Sequence, residues 1–81
     1  MKELAEFLVA GLVDQPDQVQ ITEKEGQGPN SKIIEVQVAP EDVGKVIGRE
    51  GRIASAIRTV LKAAAAKTGA WVNVEIGPKA A

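Results

Sequence analysis

The residues best suited to chemistry sit together in Gly48-Arg49-Glu50-Gly51-Arg52, with Lys45 one helical turn upstream. Glycine accepts backbone dihedrals closed to other residues and lets another molecule's backbone approach its own. Arginine and lysine add positive charge at the same place. A helix starting just after such a turn directs its free N–H groups and its positive dipole end back at it, which favours phosphate. The charge distribution agrees. Residues 45–67 carry Lys45, Arg49, Arg52, Arg58, Lys62 and Lys67 against Glu50 alone, a segment charge of +5. The other four cations and ten carboxylates give −6, so the whole chain stands at −1. A basic segment on an acidic body suits a localised anion site rather than a general polyelectrolyte surface.

Other chemistries find little support. Cysteine and histidine are both absent, which removes disulfides, thiolate nucleophiles, imidazole catalysis and the usual zinc ligands. Carboxylates, serines and lysines remain, but in no arrangement that would activate one. The glycine run lacks the Lys-Ser/Thr of a phosphate-binding P-loop and joins two helices rather than a strand and a helix. The chain is therefore expected not to be an enzyme and to need neither cofactor nor metal. No apolar run of 18 residues offers a membrane span. Glu3 and Glu6 interrupt the N-terminal apolar stretch, unlike a secretory signal. The cytoplasm is the expected compartment.

The elements that must position the glycine turn follow from periodicity. The 81 residues, 44% apolar and 26% charged, make one small domain with a thin core. Leu4, Leu8 and Leu12, joined by Phe7, predict a helix over Lys2–Val13 that turns this stripe to the core. Asp14-Gln15-Pro16-Asp17 closes it. Val19 and Ile21 alternate with polar neighbours in a first strand; Ile34, Val36 and Val38 do so in a second, expected to be antiparallel to it. The intervening segment 25–31 is long for a tight hairpin and is expected to reach toward a ligand. Pro40-Glu41-Asp42 opens a short helix through Ile47, its acids placed for the dipole. An alanine-rich helix runs from about Arg52 to Lys67 and ends at Gly69. Val72, Val74 and Ile76 form a last strand, and residues 77–81 read as a frayed tail. The class is α+β, in the order α-β-β-α-α-β, with a three-stranded mixed sheet and helices packed on one face.

In that setting, Val46-Ile47-Gly48-Arg49-Glu50-Gly51-Arg52-Ile53 resembles the GxxG segment of the KH domain in its type II arrangement. The likeness covers nearly the whole chain, 1–81, and the VIGREGR run is similar to that of KhpA, the small bacterial stand-alone single-KH family. The resemblance implies a single-stranded RNA-binding protein, an RNA chaperone or post-transcriptional regulator, whose GxxG loop clamps about four nucleotides. Carried onto this sequence, Gly48, Arg49, Glu50 and Gly51 form the clamp. Lys45 and Arg52 add charge, Ile47, Ile53 and Ile57 floor the groove, and Ile34 or Val36 wall it. Glu50 departs from the basic character usual in such loops: it favours the helix dipole yet repels phosphate.

The alanine-rich helix supports a second expectation. Ile53, Ile57, Leu61 and Ala64 share one face, and Ala56, Val60 and Ala63 form an adjacent strip beyond what a small core needs. This strip is read as a dimer interface. The resemblance points the same way, toward a homodimer and a heteromer with KhpB, also called Jag. A contrasting function is therefore a protein-interaction adaptor whose RNA groove is vestigial. Trp71 reads as packing against a helix in preference to a stacking platform for bases.

Overall fold

The computed structural model describes residues 1–79, so the expected tail at Ala80 and Ala81 lies outside the described residues. The chain runs α1 (Lys2–Ala10), β1 (Gln20–Glu25), β2 (Ser31–Val38), α2 (Val43–Ile47), α3 (Arg52–Ala66) and β3 (Trp71–Pro78). Short 3-10 turns occupy Pro16–Gln18, Pro40–Asp42 and Arg49–Gly51. The sheet has the order β1-β2-β3, with β1 antiparallel and β3 parallel to β2. Gly77 and Pro78 thus extend the last strand instead of fraying. Pro78 is tolerated because β3 is an edge strand and a missing N–H costs least there.

Strand alternation divides the sheet into two faces. Ile21, Ile34, Val36, Val38, Val72 and Val74 point to the helices and are buried, while Ile33, Glu35 and Gln37 of β2 point the other way. From above, α3 supplies Ala54, Ile57, Leu61 and Ala65, α2 supplies Val46, and α1 supplies Ala5 and Val9. The buried face of α3 is centred on Ala54 and Ala65 rather than on Ile53 and Ala64, which are only half-buried. Helix α1 departs further from expectation. Gly11, a poor helix former, ends it three residues before Val13. Its deepest positions are the small Ala5 and Val9, whereas Phe7 is 78% exposed and Leu12 also lies at the surface. Close approach to the sheet requires small side chains at the contact, so the larger residues flank it.

The β1–β2 loop is also shorter than expected. Pairing continues to Glu25 opposite Lys32, and the Gly26 N–H donates to the Ser31 carbonyl at 2.8 Å. The loop does not approach the glycine turn. The Trp71 N–H donates to the Asn30 carbonyl at 2.8 Å, which fixes the loop beside the start of β3, at the C-terminal end of α3.

Two local devices place α2 and α3. The first is the reversal between them. Gly48, Glu50 and Gly51 have φ of 76°, 57° and 74°, values that L side chains adopt with strain. A Cβ on Gly48 would stand 2.6 Å from Ile53 Cγ1, whereas one on Gly51 would meet nothing within 4 Å. The second device is Asp42, 1% exposed. Its carboxylate accepts the Gln15 N–H at 3.0 Å and the Lys45 ammonium at 3.3 Å, tying the α1–β1 connection to the start of α2. Desolvation works to raise the Asp42 carboxyl, but the hydrogen bond from Gln15 and that from Lys45 outweigh it and hold it below its ordinary 3.8.

Both devices are testable by thermal unfolding. Gly51→Ala is expected to cost about 1–2 kcal/mol, the dihedral penalty alone, and Gly48→Ala distinctly more, because Ile53 must also move; equal losses would show that the packing is not as described. A depressed carboxyl stabilises the fold above its unfolded-state value, and that contribution disappears as pH falls through the folded-state value. Wild type should therefore lose stability below about pH 4. Asp42→Ala should unfold at a lower temperature at pH 7 and show a flatter acid limb. Coincident pH profiles for the two proteins would remove this role.

Candidate nucleic-acid interface

The glycine turn presents backbone donors. Gly51 N–H bonds to the Gly48 carbonyl at 3.2 Å and Gly48 N–H to that of Gly44 at 2.9 Å, but the N–H groups of Arg49 and Glu50 have no backbone acceptor of this kind. Among the described residues no side chain caps the start of α3. The Arg52 N–H donates to the Arg49 carbonyl, and the N–H groups that follow it in the first turn open at this end. The Arg49 and Glu50 side chains are exposed. Arg49 forms no ion pair among the described residues, and Arg52 only approaches Glu50 at 3.9 Å between two exposed side chains, a contact worth little in water. Two free amides, an uncapped helix start and a free guanidinium converge on one surface, which can receive an anion chelated by N–H groups. The Glu50 carboxylate at the same turn opposes that anion.

The structure brings only part of the predicted set to this surface. The ammonium of Lys45 is shared by the carboxylates of Asp14 and Asp42. The hydrogen bond to Asp14, then that to Asp42, raises its pKa above the ordinary 10.5. Lys45 therefore helps to secure α2, and its side chain remains 44% exposed. Ile47 and Ile53 are half-buried beside the turn, and Ile53 fills the space that a Cβ on Gly48 would need. Ile57 is 5% exposed and belongs to the core. Ile34 and Val36 are wholly buried, so neither can wall a groove. The strand beside α3 is β3, where Arg58 Nε donates to the Val74 carbonyl at 3.3 Å.

On the outer side of α3, Ala56, Val60 and Ala63 are all exposed, Val60 by 44%. Trp71 is 75% exposed and does not pack under a helix as expected. Sequence reasoning missed the tie among Asp14, Gln15, Asp42 and Lys45, which joins segments 27 residues apart. The only local signal was an acidic turn before α2, which helix-dipole arguments explain equally well.

The model of the family described as KhpA/KhpB, KH domain, matches residues 2–76. The chain is 58% identical over 76 residues to the RNA-binding protein KhpA of Clostridium acetobutylicum, covering 94% of this chain and 99% of that protein. It is 54% identical to the RNA-binding protein KhpA of Borreliella burgdorferi, covering 91% of this chain and 88% of that one. For the protein of the same name from Chlamydia trachomatis the identity is 46%, over 94% of this chain and 95% of that one. Among solved structures, Era in complex with MgGDPNP and nucleotides 1506–1542 of 16S ribosomal RNA superimposes with a TM-score of 0.53 at 24% identity. That match covers 96% of this chain but 30% of Era, so the likeness is one of fold. The α-β-β-α-α-β order, the glycine turn between α2 and α3 and the near full-length relatives agree: the chain belongs to the KhpA/KhpB family of KH domains.

Proposed function

We propose that this protein binds single-stranded RNA through the Gly48–Gly51 turn and acts as an RNA chaperone or post-transcriptional regulator in the cytoplasm. The observation that carries the reading is the convergence of the free Arg49 and Glu50 N–H groups with the uncapped start of α3 and the unpaired Arg49 guanidinium. The relatives' shared name, RNA-binding protein KhpA, supports it. In this reading Gly48, Arg49, Glu50 and Gly51 clamp the sugar-phosphate backbone of about four nucleotides. Arg52 adds charge, and Ile47 and Ile53 offer apolar surface to the first bases. Ile57 supports that surface from the core and Lys45 holds α2 in place. No catalytic step is assigned.

Assembly is the second part of the proposal. Val60 stands exposed between Ala56 and Ala63, a small, smooth strip on which a second helix can approach closely. We assign it to a homodimer, with a KhpB (Jag) protein as the alternative partner. The low net charge of −1 and Glu50 in the turn favour the contrasting reading, an adaptor that dimerises with another KH protein and whose RNA groove is vestigial.

Titration with short single-stranded RNA separates the readings. Asp at both positions 49 and 50 should abolish binding while leaving the fold intact, and Glu50→Lys should tighten binding by removing a repulsion of about 1 kcal/mol, roughly fivefold. Unchanged affinity in both variants would sink the clamp and leave the adaptor reading. For assembly, the solution mass of Val60→Asp is the measure: a folded monomer is expected where wild type dimerises, and a variant that keeps the wild-type mass ends the dimer assignment.

A further inference from the structure

The C-terminal end of α3 meets the start of β3 around a cavity of about 420 Å³, lined by Lys62, Ala66, Gly69, Ala70, Trp71, Val72 and Asn73, a size within the range of ligand sites. It is remote from the glycine turn. Lys62 stands eleven residues beyond Gly51, about 16 Å along the helix at 1.5 Å per residue. Its chemistry is specific. Its lining combines the small apolar residues Ala66, Gly69, Ala70 and Val72 with the exposed, sole tryptophan of the chain, the Asn73 amide and the Lys62 ammonium. Among the described residues, Lys62 is the only charged group that lines it. A flat, uncharged ring attached to an anion fits those features: a nucleobase and its phosphate.

The cavity also shares its flank of α3 with a second cation. Arg58, Lys62 and Ala66 follow at intervals of four on one flank of α3, the flank that Arg58 ties to the edge strand. Lys62 makes no ion pair among the described residues, and Arg58 none with a carboxylate. Val60 is about 160° away from Lys62 around the helix at 100° per residue, so occupation of this flank leaves the Ala56–Val60–Ala63 strip free.

We infer that this cavity is an accessory base-stacking subsite, which extends the RNA site beyond the four nucleotides held at the glycine turn. Trp71 stacks one further base, Lys62 neutralises its phosphate, and the Asn73 amide meets the base edge. The inference rests on the RNA-binding reading above. It makes the preferred ligand a single strand longer than a lone clamp requires, with a base tolerance set by stacking, because every base has a π-face.

The experiment compares single-stranded RNAs of four and eight nucleotides, read by the emission of Trp71 and by affinity. The longer strand is expected to bind more tightly and to quench the tryptophan, the shorter to bind at the turn without quenching. Trp71→Ala should weaken the longer strand about tenfold and leave the shorter unchanged. Trp71→Phe should restore most of the difference, and Lys62→Gln should reduce the salt slope for the longer strand by about one. Because Trp71 is exposed, unaltered thermal unfolding of Trp71→Ala is the control. Equal affinity of wild type and Trp71→Ala for both lengths overturns the subsite, provided Asp at positions 49 and 50 still abolishes binding; the clamp then stands alone. Equal weakening of both lengths places Trp71 inside the four-nucleotide grip and overturns it as well. Emission that changes with protein concentration and not with RNA makes the cavity an interface between copies. If wild type binds neither length, the RNA reading itself fails and the subsite with it.

Discussion

The contact between the backbone of Gly48 and the side chain of Ile53 is the constraint on which this surface depends. A five-residue helix gives way to a 15-residue one across three positions of positive φ. The chain can turn that tightly only because nothing projects from Gly48 into the space Ile53 occupies. Gly51 answers a different demand, since its Cβ direction is open and only its dihedral requires glycine. Between them, Glu50 takes a left-handed conformation without glycine's freedom. The strain is local and is offset by the packing of α2 and α3 on the sheet. Strain of this kind persists where surrounding structure over-determines it, and such places are often functional. Here it leaves the amides of Arg49 and Glu50 without backbone partners.

Helix α3 then distributes the work of the domain around its circumference. Ala54, Ile57, Leu61 and Ala65 face the sheet and supply much of the core. Arg58 and Lys62 lie on the flank beside β3, and Ala56, Val60 and Ala63 on the opposite, solvent-facing one. In a chain of 81 residues no other element is long enough to separate a core face from two surfaces. The alanine content serves all three. It favours the helix, lets α3 lie close to its neighbours, and keeps the outer strip smooth.

Periodicity carried most of the fold. Alternation in Ile34, Val36, Val38 and in Val72, Val74, Ile76 marked strands whose inward faces are the residues expected. The glycine-arginine turn was legible because its residue types are unusual for a helix interior. Less legible were features decided by proximity rather than pattern. A leucine stripe predicted the wrong depth for Phe7 and Leu12, since how closely a helix approaches a sheet depends on its small residues. Ile57 and Val36 have the right character for a groove, but the fold assigns them to the core. The pairing of Lys45 with Asp14 and Asp42 crosses the chain, and no window of sequence displays it.

That pairing changes the electrostatic account of the basic segment. Of its six cations, Lys45 is neutralised by two carboxylates, Arg52 leans toward Glu50 and Arg58 toward a backbone carbonyl. Arg49, Lys62 and Lys67 are left without a partner among the described residues. Arg58 keeps its full charge beside a neutral carbonyl, and the Arg52–Glu50 contact is weak in water. Counterion release from a single strand scales at about 0.7 per phosphate neutralised, so a strand meeting three or four of these cations has a salt slope of about −2 to −3. The segment's excess of +5 is thus only partly available to a strand, since Lys45 sits against two carboxylates. Under the nucleic-acid reading, Coulomb attraction then supplies encounter and orientation, while residence on the protein rests on the amides of the glycine turn and on stacking. A chain of net charge −1 can work in this way. In that reading its acidic body repels strands that touch it elsewhere, and the few exposed cations and amides of α3 and its leading turn set where a strand settles.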